Sequence, residues 1–118
     1  MAHGVEGRIT PTQITLDVAR EVAQTIQALA TTSRVRILGR LCESPCTVGQ
    51  LAEAIQMEQS AVSHQLRTLR HLGLVVGDRQ GRNVLYALHD DHVATLLEEA
   101  VFHVEHLHLG VSDSATAR

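Results

Sequence analysis

Apolar positions recur with a helical period over most of the chain, but not at its start. Residues 1–15 mix Gly, Thr and Pro11 without periodicity, which predicts a flexible arm. From residue 16, Val18, Val22, Ile26 and Leu29 fall on one face of a helix. Thr31-Thr32-Ser33 interrupts the pattern and can cap a second helix, whose stripe is Ile37, Leu38 and Leu41. Glu43-Ser44-Pro45 ends it. Thr47 with Gln50 three residues later is a capping-box pattern, opening a short third helix built on Val48, Leu51, Ala52 and Ile55. After Gln56-Met57-Glu58 a fourth helix turns Val62, Leu66, Leu69 and Leu72 inward, with Gly73 placed to stop it. Two β-prone runs, Leu74–Val76 and Val84–Leu88, flank a Gly81-containing loop over Asp78–Arg82 and predict a hairpin. A last helix starts at Asp90-Asp91, where acids suit its N-terminal dipole, and runs to about Leu109 before Gly110.

Four helices, a hairpin and a final helix, with two short helices joined by a tight turn before the hairpin, spell a winged helix-turn-helix. The fold is mainly α, in the order α-α-α-α-β-β-α. The domain is expected over residues 16–109, with a flexible tail at 110–118. Composition agrees. Hydrophobic residues make up 44% of the chain, yet Tyr86 and Phe102 are its only aromatics, so the core must be aliphatic and favours packed helices. No apolar run approaches the roughly 18 residues of a membrane span. The N-terminus lacks a basic-then-apolar layout, so the chain reads as cytoplasmic, with no membrane partner. Cys42 and Cys46 are then expected to be free thiols, small and at least half-buried, rather than a disulfide.

Charge is unevenly spread. The net charge is −3, but residues 34–82 hold seven arginines (Arg34, Arg36, Arg40, Arg67, Arg70, Arg79, Arg82) against four acids. Residues 89–113 hold no arginine and six acids. The middle can meet phosphates, and the C-terminal segment must serve something else. The outer face of the fourth helix carries Gln59, Ser60, Ser63 and His64, which can read base edges, and Arg67 and Arg70, which suit phosphate or guanine. Arg79 and Arg82 at the hairpin tip extend that surface toward the backbone or minor groove. A plain solvated face would look similar, so the arrangement of the elements must decide.

The last helix is rich in histidine, the commonest transition-metal ligand. At about 100° per residue, His92, His103 and His106 share one stripe with Asp90 at its start. His103 and His106 are one turn apart and can share an ion. His92 is eleven residues from His103, roughly 16 Å along the axis, too far for one ion in one chain. An antiparallel second copy removes the obstacle. Asp90 and His92 of one helix then lie beside His103 and His106 of the other, giving two equivalent sites about a two-fold axis. Val93, Leu96, Leu97, Ala100 and Val104 are expected to form the apolar contact between the paired helices. His89 precedes Asp90 and either orients it or ends the second hairpin strand, the strand being the expectation. His64 and His71 fall on the other helix and are not expected to be ligands.

The stretch Gln59-Ser60-Ala61-Val62-Ser63-His64-Gln65-Leu66-Arg67, followed by Leu69-Arg70-His71-Leu72-Gly73-Leu74-Val75, resembles the recognition helix and wing entry of the ArsR/SmtB family. Ala30–Leu38 is similar to that family's second-helix opening, with Thr31-Thr32 in place of the usual Asp-Pro. The resemblance covers roughly residues 16–109. It implies a non-enzymatic, homodimeric metal-responsive repressor that leaves operator double-stranded DNA when its inducer binds, and an efflux gene as target. The last-helix pattern also resembles the metal site of these sensors. Cys46-Thr47-Val48-Gly49 lacks the family's Cys-x-Cys, which disfavours an arsenic, cadmium or lead sensor. Asp with three His can hold Zn(II) tetrahedrally, whereas further donors suit six-coordinate Ni(II) or Co(II). The extra donors would be His3, His108 and the amine of Ala2 once Met1 is removed. His3–Arg8 and His103–Gly110 resemble nickel- and cobalt-sensing members, so Ni(II) or Co(II) is the expected inducer and Zn(II) the alternative. His3 can also bind metal locally or not at all. The competing functions are a metal buffer with a vestigial helix-turn-helix and a metal-independent regulator answering to Cys42 and Cys46 oxidation. An organic substrate is not expected.

Overall fold

Capping chemistry sets where the helices begin. The computed structural model describes residues 13–117, with side-chain surroundings through residue 109. Thr15 precedes α1 (Leu16–Ala28), and its hydroxyl accepts from the Val18 N–H at 3.2 Å. Thr31 does the same for α2 (Thr32–Glu43) through the Arg34 N–H. The capping box of α3 (Val48–Ile55) is formed on both sides: Gln50 N–H donates to the Thr47 hydroxyl, and Thr47 N–H donates to Gln50 Oε1 at 2.9 Å. Each bond satisfies a donor that the first helical turn leaves without a partner.

The turn from α3 into α4 (Gln59–His71) passes through Gln56, whose φ of 56° is left-handed. At the far end of α4, Gly73 (φ +78°) reverses the chain. Its N–H donates to the Arg70 carbonyl, and the Leu74 N–H reaches back to Leu69 at 2.9 Å. This Schellman pair, with Leu69 and Leu74 both buried, is the stop expected at that glycine. Strands β1 (Val75–Gln80) and β2 (Asn83–Leu88) pair antiparallel, Val75 opposite Leu88 and Gln80 opposite Asn83. Their turn is Gly81-Arg82, not the longer loop over Asp78–Arg82. Asp78, Arg79 and Gln80 are solvent-facing, so they carry no burial period to mark them as strand, but the backbone ladder extends through them. An isolated bridge adds a third partner: Cys46 and Tyr86 exchange both backbone bonds, at 2.9 and 2.7 Å, tying the α2–α3 loop to the hairpin.

The core is aliphatic, as composition requires. Ile37, Leu38, Leu51, Val62, Leu66 and Leu69 are fully buried, and Val93 and Leu97 of α5 (Asp91–Ala117) close it. No buried residue among those described is polar or charged. α5 does not stop at Gly110. A glycine inside a helix costs only about 1 kcal/mol relative to alanine, and the helix runs on to Ala117. Of the expected α5 contact set, Val93 and Leu97 are buried against this chain's own core, Leu97 at the same time lining the groove between α1 and α5. Leu96, Ala100 and Val104 remain exposed. So does the apolar stripe of α1: Ile26 keeps 55% of its surface accessible. Together α1 and α5 frame an open apolar groove of about 760 Å³, walled by Ile26, Leu29, Val35, Leu96, Val101 and Val104.

Candidate nucleic-acid interface and metal centre

α4 rests on the core through Val62, Leu66 and Leu69. Its opposite face therefore presents Gln59, Ser60, His64, Arg67 and Arg70 to solvent, with Ser63 half-buried. The α4 N-terminus and the wing form one continuous surface: Gln59 and Arg82 line the same recess of about 300 Å³, together with Thr47, Gly49 and Tyr86. Arg79 lies in β1 opposite Val84, one pair away from the turn that carries Arg82. Arg70 is placed differently from the others. A Cβ on Gly77 would lie 3.0 Å from Val84 and 3.5 Å from the Arg70 guanidinium, so Arg70 lies back over the hairpin. Among the described residues, Arg67, Arg70, Arg79 and Arg82 form no ion pair or hydrogen bond, which leaves their charge available to phosphate.

At the start of α5, Asp90 is surrounded by imidazole. Its Oδ2 is 3.1 Å from His89 Nδ1, and its Oδ1 is 3.4 Å from His92 Nδ1. Oδ1 also accepts from the His92 backbone N–H at 3.0 Å, as an N-cap side chain does. The His89 bond above all, then those from His92, hold the Asp90 carboxyl below its ordinary range, with slight desolvation opposing them. His89 lies just past β2, where its N–H donates to the Leu74 carbonyl, and its ring turns to Asp90. The strand was the expectation for His89; the orienting contact is what forms. His92 is almost wholly exposed. His103, His106 and His108 lie along the exposed side of α5, and His106 stacks against Phe102 with ring centroids 6.2 Å apart. His108 also borders the apolar groove. Among the described residues, no three His, Cys, Asp or Glu side chains of one chain come together to hold an ion. Ala2 and His3 lie outside the described residues.

The arsR-family model of bacterial regulatory proteins matches residues 31–76. Over 114 residues, 96% of this chain and 95% of its relative, the sequence is 62% identical to the HTH-type transcriptional regulator NmtR of Mycobacterium tuberculosis. The chain belongs to the arsR family. A more distant arsR-type relative, the transcriptional repressor SmtB homolog of Synechocystis, is 42% identical over 83% of this chain and 74% of its own length. The solution structure of apo-NmtR superposes with a TM-score of 0.72 over 91% of each chain. A homodimeric winged helix-turn-helix DNA-binding domain from Mycobacterium bovis, 26% identical, gives 0.71 over 84% of this chain and 89% of that one. This arsR-family member is thus a winged helix-turn-helix transcriptional regulator, not an enzyme. No helix among its described residues is long and apolar enough to cross a membrane.

Two features of this arsR-family chain were not visible in the pattern of its sequence. One is the Cys46–Tyr86 bridge, because a single backbone pairing leaves no periodic trace. The other is the half-buried pair Arg34 and Gln65, whose side chains join α2 to α4 at 2.7 Å. A glutamine beside the buried stripe of an otherwise solvated helix was the available signal. The cysteines part company: Cys46 is buried in the core, while Cys42 is exposed. Partial burial, then the Glu98 and Glu43 carboxylates, push the Cys42 thiol up, so it is protonated at neutral pH. A thiol of that kind is a poor redox nucleophile.

Proposed function

We propose that this chain is a cytoplasmic repressor that binds operator DNA as a homodimer and releases it when Ni(II) or Co(II) binds at paired α5 helices, derepressing a metal-efflux gene. The observation that carries the metal reading is the division of donors along α5. An ionised carboxylate with His92 stands at one end, and His103 with His106 at the other, on one exposed stripe. No single chain gathers three of them. Beside that stripe lies the apolar groove of α1 and α5, which a second copy would cover. An antiparallel partner brings the two donor ends together twice, so dimer and metal site are one arrangement. Gln59, Ser60, Ser63, His64, Arg67, Arg70, Arg79 and Arg82 are the proposed DNA surface, with Arg70 bracing the wing.

The donor set fits a borderline divalent ion, since imidazole suits zinc, nickel and cobalt alike. His108 and, through the arm, His3 and the Ala2 amine are the proposed additional donors that would favour six-coordinate Ni(II) or Co(II) over four-coordinate Zn(II). When bound, the ion supplies charge and directional bonding. The chain's own residues do the rest. Asp90 presents an ionised oxygen already aligned by His89, and Asp90-His92 and His103-His106 fix the distance between the two α5 helices. In the metal-free dimer, two α4 helices enter successive major grooves, about 34 Å apart. A changed α5 pairing alters that spacing. Such coupling is typically 1–3 kcal/mol and is reciprocal, so operator DNA must weaken metal binding by the same factor.

Subunit mixing tests the cross-chain site. His92→Ala and His103→Ala homodimers each damage both sites, whereas a mixed dimer retains one intact site and one doubly damaged site. Tight Co(II) binding, followed by its visible absorption, is expected to vanish in both homodimers and return at one ion per mixed dimer. Absence of recovery in verified mixed dimers would place the ligands within one chain and overturn the proposal.

A further inference from the structure

Hydrophobic contacts hold α4 on the core through the fully buried Val62, Leu66 and Leu69, but the hydrophobic effect is itself non-directional. Hydrogen bonds are directional, and among the described residues Gln65 of α4 makes side-chain hydrogen bonds to another helix. Arg34 Nε donates to Gln65 Oε1 at 2.7 Å, and Gln65 Nε2 donates to the Ser33 hydroxyl at 3.3 Å. Both polar ends of the Gln65 amide are thereby engaged by the first turn of α2. Arg34 Nη1 meanwhile donates to the Ala28 carbonyl at 3.3 Å, at the last residue of α1. That carbonyl is among those a helix end leaves without an intrahelical partner, and a cation there is favoured by the helix dipole. One guanidinium therefore links the end of α1, the start of α2 and the middle of α4.

We propose that Gln65, gripped by Arg34, is a positioning residue: it sets the roll of α4 for DNA and passes to α4 any shift of the α1–α5 layer. A side-chain tip stands roughly 6 Å from a helix axis, so a roll of about 10° displaces it by roughly 1 Å. Ser63 and His64 precede Gln65 directly and Gln59 lies within two turns, so their tips move with it. A displacement of that size takes a good hydrogen bond to a base past its useful range. The other end of the linkage is equally placed. Leu29, Ala30 and Val35 flank Ala28 and Arg34 in sequence, and all three line the groove that α1 shares with α5. The DNA half of this proposal rests on the fold alone. The coupling half rests on the metal-responsive reading above.

The test compares wild type, Gln65→Ala and Gln65→Glu by fluorescence anisotropy at 25 °C on DNA from upstream of the protein's own gene, with and without Ni(II). Circular dichroism and sedimentation first establish that each variant is folded and dimeric. Gln65→Ala is expected to bind metal-free DNA about tenfold more weakly, the scale of a lost charged hydrogen bond. Gln65→Glu keeps an acceptor for Arg34 and is expected to recover to within about threefold of wild type. The Ni(II)-induced loss of affinity is expected to shrink at least threefold in Gln65→Ala, while Co(II) binding is unchanged. If Gln65→Ala proves unfolded, Arg34→Lys, which keeps the charge but not the fork, takes its place with the same expectation. A folded variant with wild-type DNA affinity, or a Gln65→Glu variant as weak as Gln65→Ala, overturns the proposal. A lowered melting temperature with unchanged affinity at 25 °C does so too, since that is a purely structural role. If wild type ignores Ni(II), Co(II) and Zn(II), the metal reading fails, and the metal-free affinities still decide the role of Gln65 in DNA binding.

Discussion

Asp90 caps α5, the proposed site gives it a second task as a metal donor, and substitution separates the two. As an N-cap acceptor it needs only an oxygen; as a metal donor it needs a charge. Asp90→Asn keeps the cap oxygen but not the charge that His89 and His92 favour, so it is expected to lower the melting temperature of the metal-free protein less than Asp90→Ala does, while weakening Co(II) binding at least tenfold, in the range of disturbed metal-site partners. Asp90→Ala loses both. Equal Co(II) affinity in wild type and Asp90→Asn, by competition against a chelator, would remove Asp90 from the site. The linkage sign follows from the depressed pKa. Stabilisation by Asp90 is present above the ordinary carboxylate pKa, about 3.9, and is lost as pH falls through the lower folded value. The proposed histidine donors were legible in the sequence, because His92, His103 and His106 share one helical stripe, and Asp90 was legible as the acid at the head of that helix. The orienting role of His89 was not, since it depends on how the chain turns out of β2.

Helix ends were the most legible elements. Thr31 and Thr47 cap as their residue type demands, and Gly73 closes α4 with a Schellman pair; Thr15 caps α1 as well, although it falls in the stretch read as an arm. Gly73→Ala is expected to destabilise the protein by about 1–2 kcal/mol, the cost of a β-carbon in left-handed backbone, as measured by urea denaturation at fixed dimer concentration. No loss of stability would mean that α4 ends by another route. Gly110 shows the limit of the same signal: a glycine permits a stop but does not impose one, and α5 continues to Ala117. The hairpin lies where the β-prone runs predict it, but its turn is shorter than the pattern suggests, because the exposed residues Asp78–Gln80 are held by ladder bonds that leave no mark on hydrophobicity.

For the whole molecule, the apolar faces that one chain does not bury carry the argument. The α1 stripe of Val18, Val22 and Ile26 and the α5 positions Leu96 and Val104 have the period of core residues but are exposed. Sequence periodicity identifies a face that wants burial; it cannot say whether the same chain provides it. Ile26→Glu places a charge on that face from α1, away from the α4 surface and outside the helix that carries His92, His103 and His106. It is expected to convert the dimer to monomer in sedimentation experiments and to abolish tight Co(II) and operator binding together. A monomer that still binds Co(II) tightly would break the link between dimer and site.

The central claim, that metal at α5 controls DNA at α4, is tested most directly by wild-type operator affinity. Fluorescence anisotropy with DNA from upstream of the gene would be recorded without metal and with Ni(II), Co(II) or Zn(II). Tight metal-free binding that weakens at least tenfold with Ni(II) or Co(II) is the predicted result, within the range of allosteric coupling. Equal affinity with and without every ion would contradict the account and leave a regulator that does not sense metal through its last helix.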